Sequence, residues 1–153
     1  MKSLADRIRD AFPTNPVPLA DSAVEDTYCV EHLHELLAGK AWDVPTVYEY
    51  RCCDDGFSLL TVLGLHYYLP GYLVAELTDP ETADVIAESV TFAFAGRSQF
   101  SQDRMRLLGL EMTVPQCVVI RDWLLYYESE TCSDKHLRGS LATVASWLDS
   151  RNN

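Results

Sequence analysis

Positive charge is scarce in this 153-residue chain: 12 lysines and arginines face 23 aspartates and glutamates, a formal balance of −11. A negative field of that size repels nucleic acid and anionic lipid, so neither is an expected partner. It favours a basic protein partner, or it serves solubility alone. Glycine is sparse as well, with seven residues that do not cluster. That excludes a phosphate cradle of the Walker or dinucleotide type. No G-x-S-x-G elbow occurs, and His32, His34, His66 and His136 are scattered rather than set beside a nucleophile. Strand-type alternation, fixed-interval repeats and low-complexity segments are also missing.

Two further lacks bear on location. Met1-Lys2-Ser3-Leu4-Ala5-Asp6 has no apolar run after its basic residue, so no signal peptide is expected. The five cysteines (Cys29, Cys52, Cys53, Cys117, Cys132) are odd in number and without framework spacing. Reduced thiols in a cytoplasmic protein are the expectation. From Phe57 to Ala75 there are 19 uncharged residues, about the length of a bilayer span. Ser58, Thr61, His66, three tyrosines and Pro70 dilute that run, so a buried helical hairpin is expected, not a membrane span.

What is present is helical periodicity. Ser3 suits the cap of a first helix with Leu4, Ile8 and Phe12 on one stripe, and Pro13 stops it. Residues 13–20 read as a surface linker. Ser22-x-x-Glu25 has capping-box spacing, and Val30, Leu33 and Leu37 give a stripe ending at Gly39. Pro45 suits the first turn of a helix reaching Cys53. The apolar segment predicts two short helices, or one bent at Pro70. Asp79-Pro80 starts a helix carrying Ile86, Val90 and Phe94 and closed by Gly96. Arg97 to Leu110 reads as a loop with a short helix around Asp103 to Leu108.

Thr113-x-x-Gln116 opens the next helix, through Trp123 to Tyr127. Ser133 suits the cap of the last, with Leu137, Leu141, Val144, Ala145 and Leu148 inward and an Asp134–Arg138 pair outside. The expectation is all-α: residues 1–153 as a single compact multi-helix, bundle-like domain of about six or seven helices, with a frayed C-terminus over 150–153.

Chemistry has few candidates. Cys29-x2-His32-x-His34, with Cys52-Cys53 further on, is the one cluster of ligand-type residues. On a helix Cys29 and His32 would share a face, but the paired-cysteine spacing of zinc sites is missing. Metal is therefore not expected, with Cys29, His32, Cys52 and Cys53 as weak candidates, and no cofactor is expected. Asp54-Asp55 before Gly56 reads as a solvated helix end rather than a catalytic pair. Charge is distributed unevenly: Asp21 to Asp55 holds nine acidic residues against Lys40 and Arg51. Glu76, Asp79, Glu81, Asp84 and Glu88 follow with no base among them. Tyrosines gather in the same third of the chain, and tyrosine beside carboxylate is good contact chemistry.

Leu65-His66-Tyr67-Tyr68-Leu69-Pro70-Gly71-Tyr72-Leu73 resembles the Y-Y-L-P-x-Y-L core of a bacterial family of small domains of unknown function. Gly39-Lys40-Ala41-Trp42, Asp79-Pro80 and Thr113-x-Pro-Gln116 fall in a similar order around it. The resemblance, covering Cys29 to Tyr127, implies a compact helical bacterial protein and brings no catalytic residues. Where many members of that family carry Ser or Thr with Pro before the tyrosines, this chain has Thr61-Val62.

The functional expectation is an interaction protein, specifically an immunity-type inhibitor that binds and blocks a basic bacterial toxin or effector domain. Asp54, Asp55, Glu76, Asp79, Glu81, Asp84 and Glu88 would contribute contacts, with Tyr48 and Tyr50 as anchors. The alternatives are a metal-dependent or thiol enzyme built on the Cys29/His32 region, and a non-catalytic housekeeping scaffold. Oligomeric state is not legible from the sequence.

Overall fold

The structure, a computed structural model, describes residues 1–131 and 134–152. Among the described residues it contains eleven helices and no strand, so the chain is all-α. The helices are α1 (Leu4–Ala11), α2 (Ala20–Ala23), α3 (Glu31–Leu36), α4 (Val47–Cys52), α5 (Gly56–Leu59), α6 (Val62–Thr78), α7 (Pro80–Ala83), α8 (Ile86–Phe94), α9 (Gln99–Glu111), α10 (Val114–Glu130) and α11 (Leu137–Asp149). The number exceeds the expected six or seven because several predicted helices are broken into short pieces. The chain divides into two compact units, Phe12–Ala87 and Met1–Ala11 with Glu88–Asn153. No helix of the described residues is long and apolar enough to cross a membrane.

In the Phe12–Ala87 unit, α6 is the organising element, packed by α2, α4 and α7. Its break from the preceding helix lies at Leu60-Thr61, not at Pro70, which sits inside α6. Thr61 caps α6 by accepting from Gly64 N at 3.1 Å and donates to Ser22 O at 2.6 Å. Two glycines let neighbours approach the α6 backbone. A Cβ on Gly64 would lie 2.0 Å from the Ala23 carbonyl oxygen, and one on Gly71 would lie 1.9 Å from the Tyr50 hydroxyl.

Tyrosine hydroxyls then tie loops to this helix. Tyr67 donates to Thr14 O at 2.5 Å, Tyr68 to Leu37 O and Lys40 O at 2.9 and 2.8 Å, and Tyr72 to Cys53 O at 2.5 Å. Tyr50, on α4, donates to Trp42 O at 2.5 Å. The Trp42 indole donates to Phe12 O at 3.2 Å. Each bond gives a loop carbonyl a partner within the fold, and those of Leu37, Trp42 and Cys53 are in buried bonds.

In the other unit, α10 packs against α1 and α11, and α11 against α9. Arg7 on α1 is ion-paired with Asp122 on α10, and Gln116 donates its side-chain amide to Ala11 O at 3.2 Å. Ser140 and Thr143 on α11 donate to Thr91 O and Phe94 O, both at 2.7 Å. Arg151 donates to Trp147 O at 2.7 Å and to the carbonyls of Gly109 and Met112. The Arg151 guanidinium fork thereby caps the open end of α9.

Several sequence expectations are borne out in detail. Ser3 caps α1, accepting from Asp6 N at 3.1 Å. Thr113 and Gln116 form both halves of a capping box. Ile86, Val90 and Phe94 are fully buried on α8, and Gly96 follows it with φ +61°. Burying side chains of that size contributes about 2 kcal/mol each.

Other expectations are corrected. Ser22-x-x-Glu25 does not open a helix running to Gly39. After α2 the chain extends and bridges Val24 to Leu60, with Glu25 N donating to Leu59 O and Thr61 N to Ala23 O. Long-range pairing has taken the backbone groups that a helix would use. Pro45 lies before the fourth helix, which Thr46 caps with a box to Glu49. The Asp79-Pro80 helix is interrupted at Asp84, whose φ is +53°, and resumes as α8. Arg97 to Leu110 is mostly one helix, α9, capped by Ser98. On α11 the buried line is Leu137, Ser140, Val144 and Trp147, with Ala145 exposed. Asp134 precedes that helix and accepts from the Thr91 hydroxyl and the His136 amide instead of lying on its surface beside Arg138. Ser133, the expected cap, and Cys132 lie outside the described residues.

Candidate protein-binding surface

The two units divide the charge completely. Phe12–Ala87 holds thirteen acidic residues against Lys40 and Arg51, a formal balance of −11, while the other unit holds ten of each sign. The whole net charge of the chain therefore resides in one unit.

Within that unit the fold brings several predicted contact residues together around α4. Arg51 reaches Asp84, at the end of α7, with Nη2 3.2 Å from Oδ2, and Asp54 at 3.8 Å. Asp55 accepts from His32 Nε2 at 2.8 Å. One arginine thus gathers two carboxylates from separate elements and neutralises only part of their charge. Glu81, in the first turn of α7, is exposed. Arg51 was not predicted to organise this surface, although its i,i+3 spacing to Asp54 was available as a signal. The side chains of these pairs are 32 to 62% exposed, so they orient one another more than they stabilise the fold.

Tyr48 stands on α4 with 66% of its surface exposed. Its phenol is held above the ordinary value, chiefly by a hydrogen bond with the Cys52 side chain. Tyr50 is different: it is 2% exposed, and burial pushes its phenol well above the ordinary range. It is a core residue with no surface to offer a partner.

The remaining predicted acids separate into three cases. Asp79 accepts from Thr82 N at 3.1 Å and from the Thr82 hydroxyl at 2.6 Å, which lowers its carboxyl pKa and commits it to capping α7. Glu76 is half-buried on α6. Glu88 is exposed but belongs to the other unit.

The ligand-type cluster is not assembled. Cys29 lies in the loop before α3 with φ +62°, so it shares no helix face with His32. Cys53 is buried, and its sulfur lies 4.0 Å from the His32 carbonyl, on the backbone and not on the imidazole. Burial first, and then the charges of Asp55, Asp54 and Glu49 with Cys52, push its thiol up to about 12. A thiol held there is protonated at neutral pH and is a poor nucleophile and ligand. Among the described residues no three His, Cys, Asp or Glu side chains converge to hold a metal ion.

The site defines a class: an all-α protein with an acidic, tyrosine-bearing face on one unit. Comparison with protein-family models, curated proteins and solved structures gives no match.

Proposed function

We propose that this chain is a protein-binding protein that docks the acidic face of its Phe12–Ala87 unit on a basic protein surface. In its specific form it is an immunity-type inhibitor that binds and blocks a bacterial toxin or effector. The observation that carries this reading is the confinement of the full −11 to one unit. A charge of that density steers a basic partner towards the Phe12–Ala87 unit and speeds encounter. Asp54, Asp55, Glu81 and Asp84 supply the field, Arg51 fixes the positions of two of them, and exposed Tyr48 supplies contact area with a polar tip.

The test is capture from the native bacterium with the purified chain as bait, at low and raised salt. It is followed by an activity assay of whatever basic protein is held in stoichiometric amount. The expected result is salt-sensitive binding that inhibits the partner, weakened about tenfold or more by Glu81→Lys with Asp84→Lys. Absence of a partner at both salt concentrations, or a partner indifferent to the charge reversal, refutes the proposal.

A further inference from the structure

We propose that the cleft between α8, α10 and the segment entering α11 binds a small zwitterion with an aromatic side chain, of the aromatic amino-acid class. The cleft has a volume of about 740 Å³, within the range of small-molecule sites. Its lining residues all belong to the unit of Met1–Ala11 and Glu88–Asn153, so none is shared with the acidic face. The apolar part of the wall is aromatic. Phe92 on α8 keeps 53% of its surface exposed, and Tyr127 on α10 lines the same space. The His136 ring meets that of Phe92 edge to face, with centroids 5.1 Å apart and planes at 89°. A planar ring entering the cleft finds aromatic faces and edges to pack on.

The polar part carries both signs of charge and leaves them unmatched. Glu88 and Lys135 are exposed and line the cleft together, yet among the described residues neither forms an ion pair, with the other or with a third group. Asp134, by contrast, is engaged, accepting from the His136 amide at 2.7 Å and from the Thr91 hydroxyl. The Nδ1 atom of His136 is buried and has no hydrogen-bond partner among the described residues. A turn of the ring lets a bound polar group supply one. Exposed charges need no partner on their own account, but here two of opposite sign share one aromatic cleft. A simple amine matches Glu88 and sets a second cation near Lys135, and a simple acid does the reverse. An α-amino acid presents ammonium and carboxylate on one carbon and its ring on the next. It matches both charges and gives its ring to the wall of Phe92, Tyr127 and His136.

The test is titration of the whole chain with L-phenylalanine, with phenethylamine, which lacks the carboxylate, and with hydrocinnamate, which lacks the ammonium. Binding is read by calorimetry and by amide shifts in nitrogen–proton correlation spectra. The expected result is saturable binding of L-phenylalanine with a Kd of about 1 mM or tighter, and each analogue weaker by about tenfold or more. The shifts should centre on Ser89, Phe92 and His136. Lys135→Ala should bring L-phenylalanine down to the level of phenethylamine, and Glu88→Gln to that of hydrocinnamate. Both side chains are exposed, so helical circular dichroism stays unchanged. L-phenylalanine that fails to saturate by about 10 mM overturns the proposal. So does an analogue that binds as tightly, binding undiminished by both substitutions, or shifts centred outside the cleft.

Discussion

Replacing Gly71 by alanine inverts the usual effect of such a change. In the middle of an ordinary helix, glycine to alanine stabilises by about 1 kcal/mol, because alanine gives up less backbone freedom. Here the new Cβ would stand 1.9 Å from the Tyr50 hydroxyl oxygen and 2.0 Å from Cζ, well inside van der Waals contact. Tyr50 has little room to withdraw. It is buried, its hydroxyl is fixed on Trp42 O at 2.5 Å, and its ring centroid lies 4.8 Å from that of Tyr72. Relieving the clash displaces α6 or breaks the Tyr50–Trp42 bond. Overpacking costs about 1–3 kcal/mol, and a buried carbonyl left alone costs a similar amount. Where both costs are met, subtraction of the propensity gain leaves a net loss of about 1–5 kcal/mol. For a chain of this length that corresponds to a fall in Tm of roughly 2–20 °C.

Thermal melts and urea titrations of Gly71→Ala measure this directly. The same change in a Tyr50→Leu background, where the hydroxyl and Cζ are absent, should cost little or become favourable. A neutral or stabilising Gly71→Ala in the wild-type chain refutes the reasoning. So does an equal cost in both backgrounds, since the clash with Tyr50 would then not be its source.

Two further outcomes follow from local chemistry. Burial of the Asp122 carboxylate works upward on its pKa, but hydrogen bonds and charge from Arg7 and Arg121 outweigh it and hold the value below the ordinary one. The stability this contributes is complete above the ordinary aspartate value, near ~4, and is lost as pH falls through the depressed value. Urea titrations from pH 7 to pH 2 should show that loss, and Asp122→Asn should remove about 1 kcal/mol at neutral pH and flatten the acid limb. An unchanged acid limb in the variant counts against the pairing. At Cys29, held at φ +62°, glycine should raise stability by about 0.5–1 kcal/mol and valine should lower it by more, read from the same melts. Equal effects of the two would mean that the left-handed backbone carries no strain.

The sequence displayed its long helices and their capped starts because those signals are local. Ser3, Asp79 and Thr113 bond residues three positions away, and Ile86, Val90 and Phe94 repeat at intervals of four. The misplaced boundaries have long-range causes. The Val24–Leu60 bridge joins residues far apart in sequence, and nothing near Ser22 announces it. Helix α9 was obscured because its outward side mixes leucine and phenylalanine with charge, which blurs the polar–apolar contrast that period detection needs.

At the candidate surface, the acidic composition was plain but its focus on Arg51 was not, since Asp84 reaches it only through the packing of α7 on α4. Tyr48 and Tyr50 have the same composition and nearly the same place in the sequence, yet one faces water and the other the core. Two residues apart on a helix is about 200° of rotation, enough to separate a contact residue from a structural one.

Four tyrosines of the Phe12–Ala87 unit each spend a hydroxyl on a main-chain carbonyl of a connecting segment. Phenylalanine, the substitute that ordinary exchange scales rank nearest, keeps the ring and discards the tie. Drift at these positions should therefore be narrower than burial alone would set. A descendant that traded several tyrosines for phenylalanines would retain its apolar core and let its loops go slack. Lineages that preserve this architecture should preserve the oxygen, and true relatives should be recognisable by tyrosine identity at these places even where the surrounding helix has been rewritten.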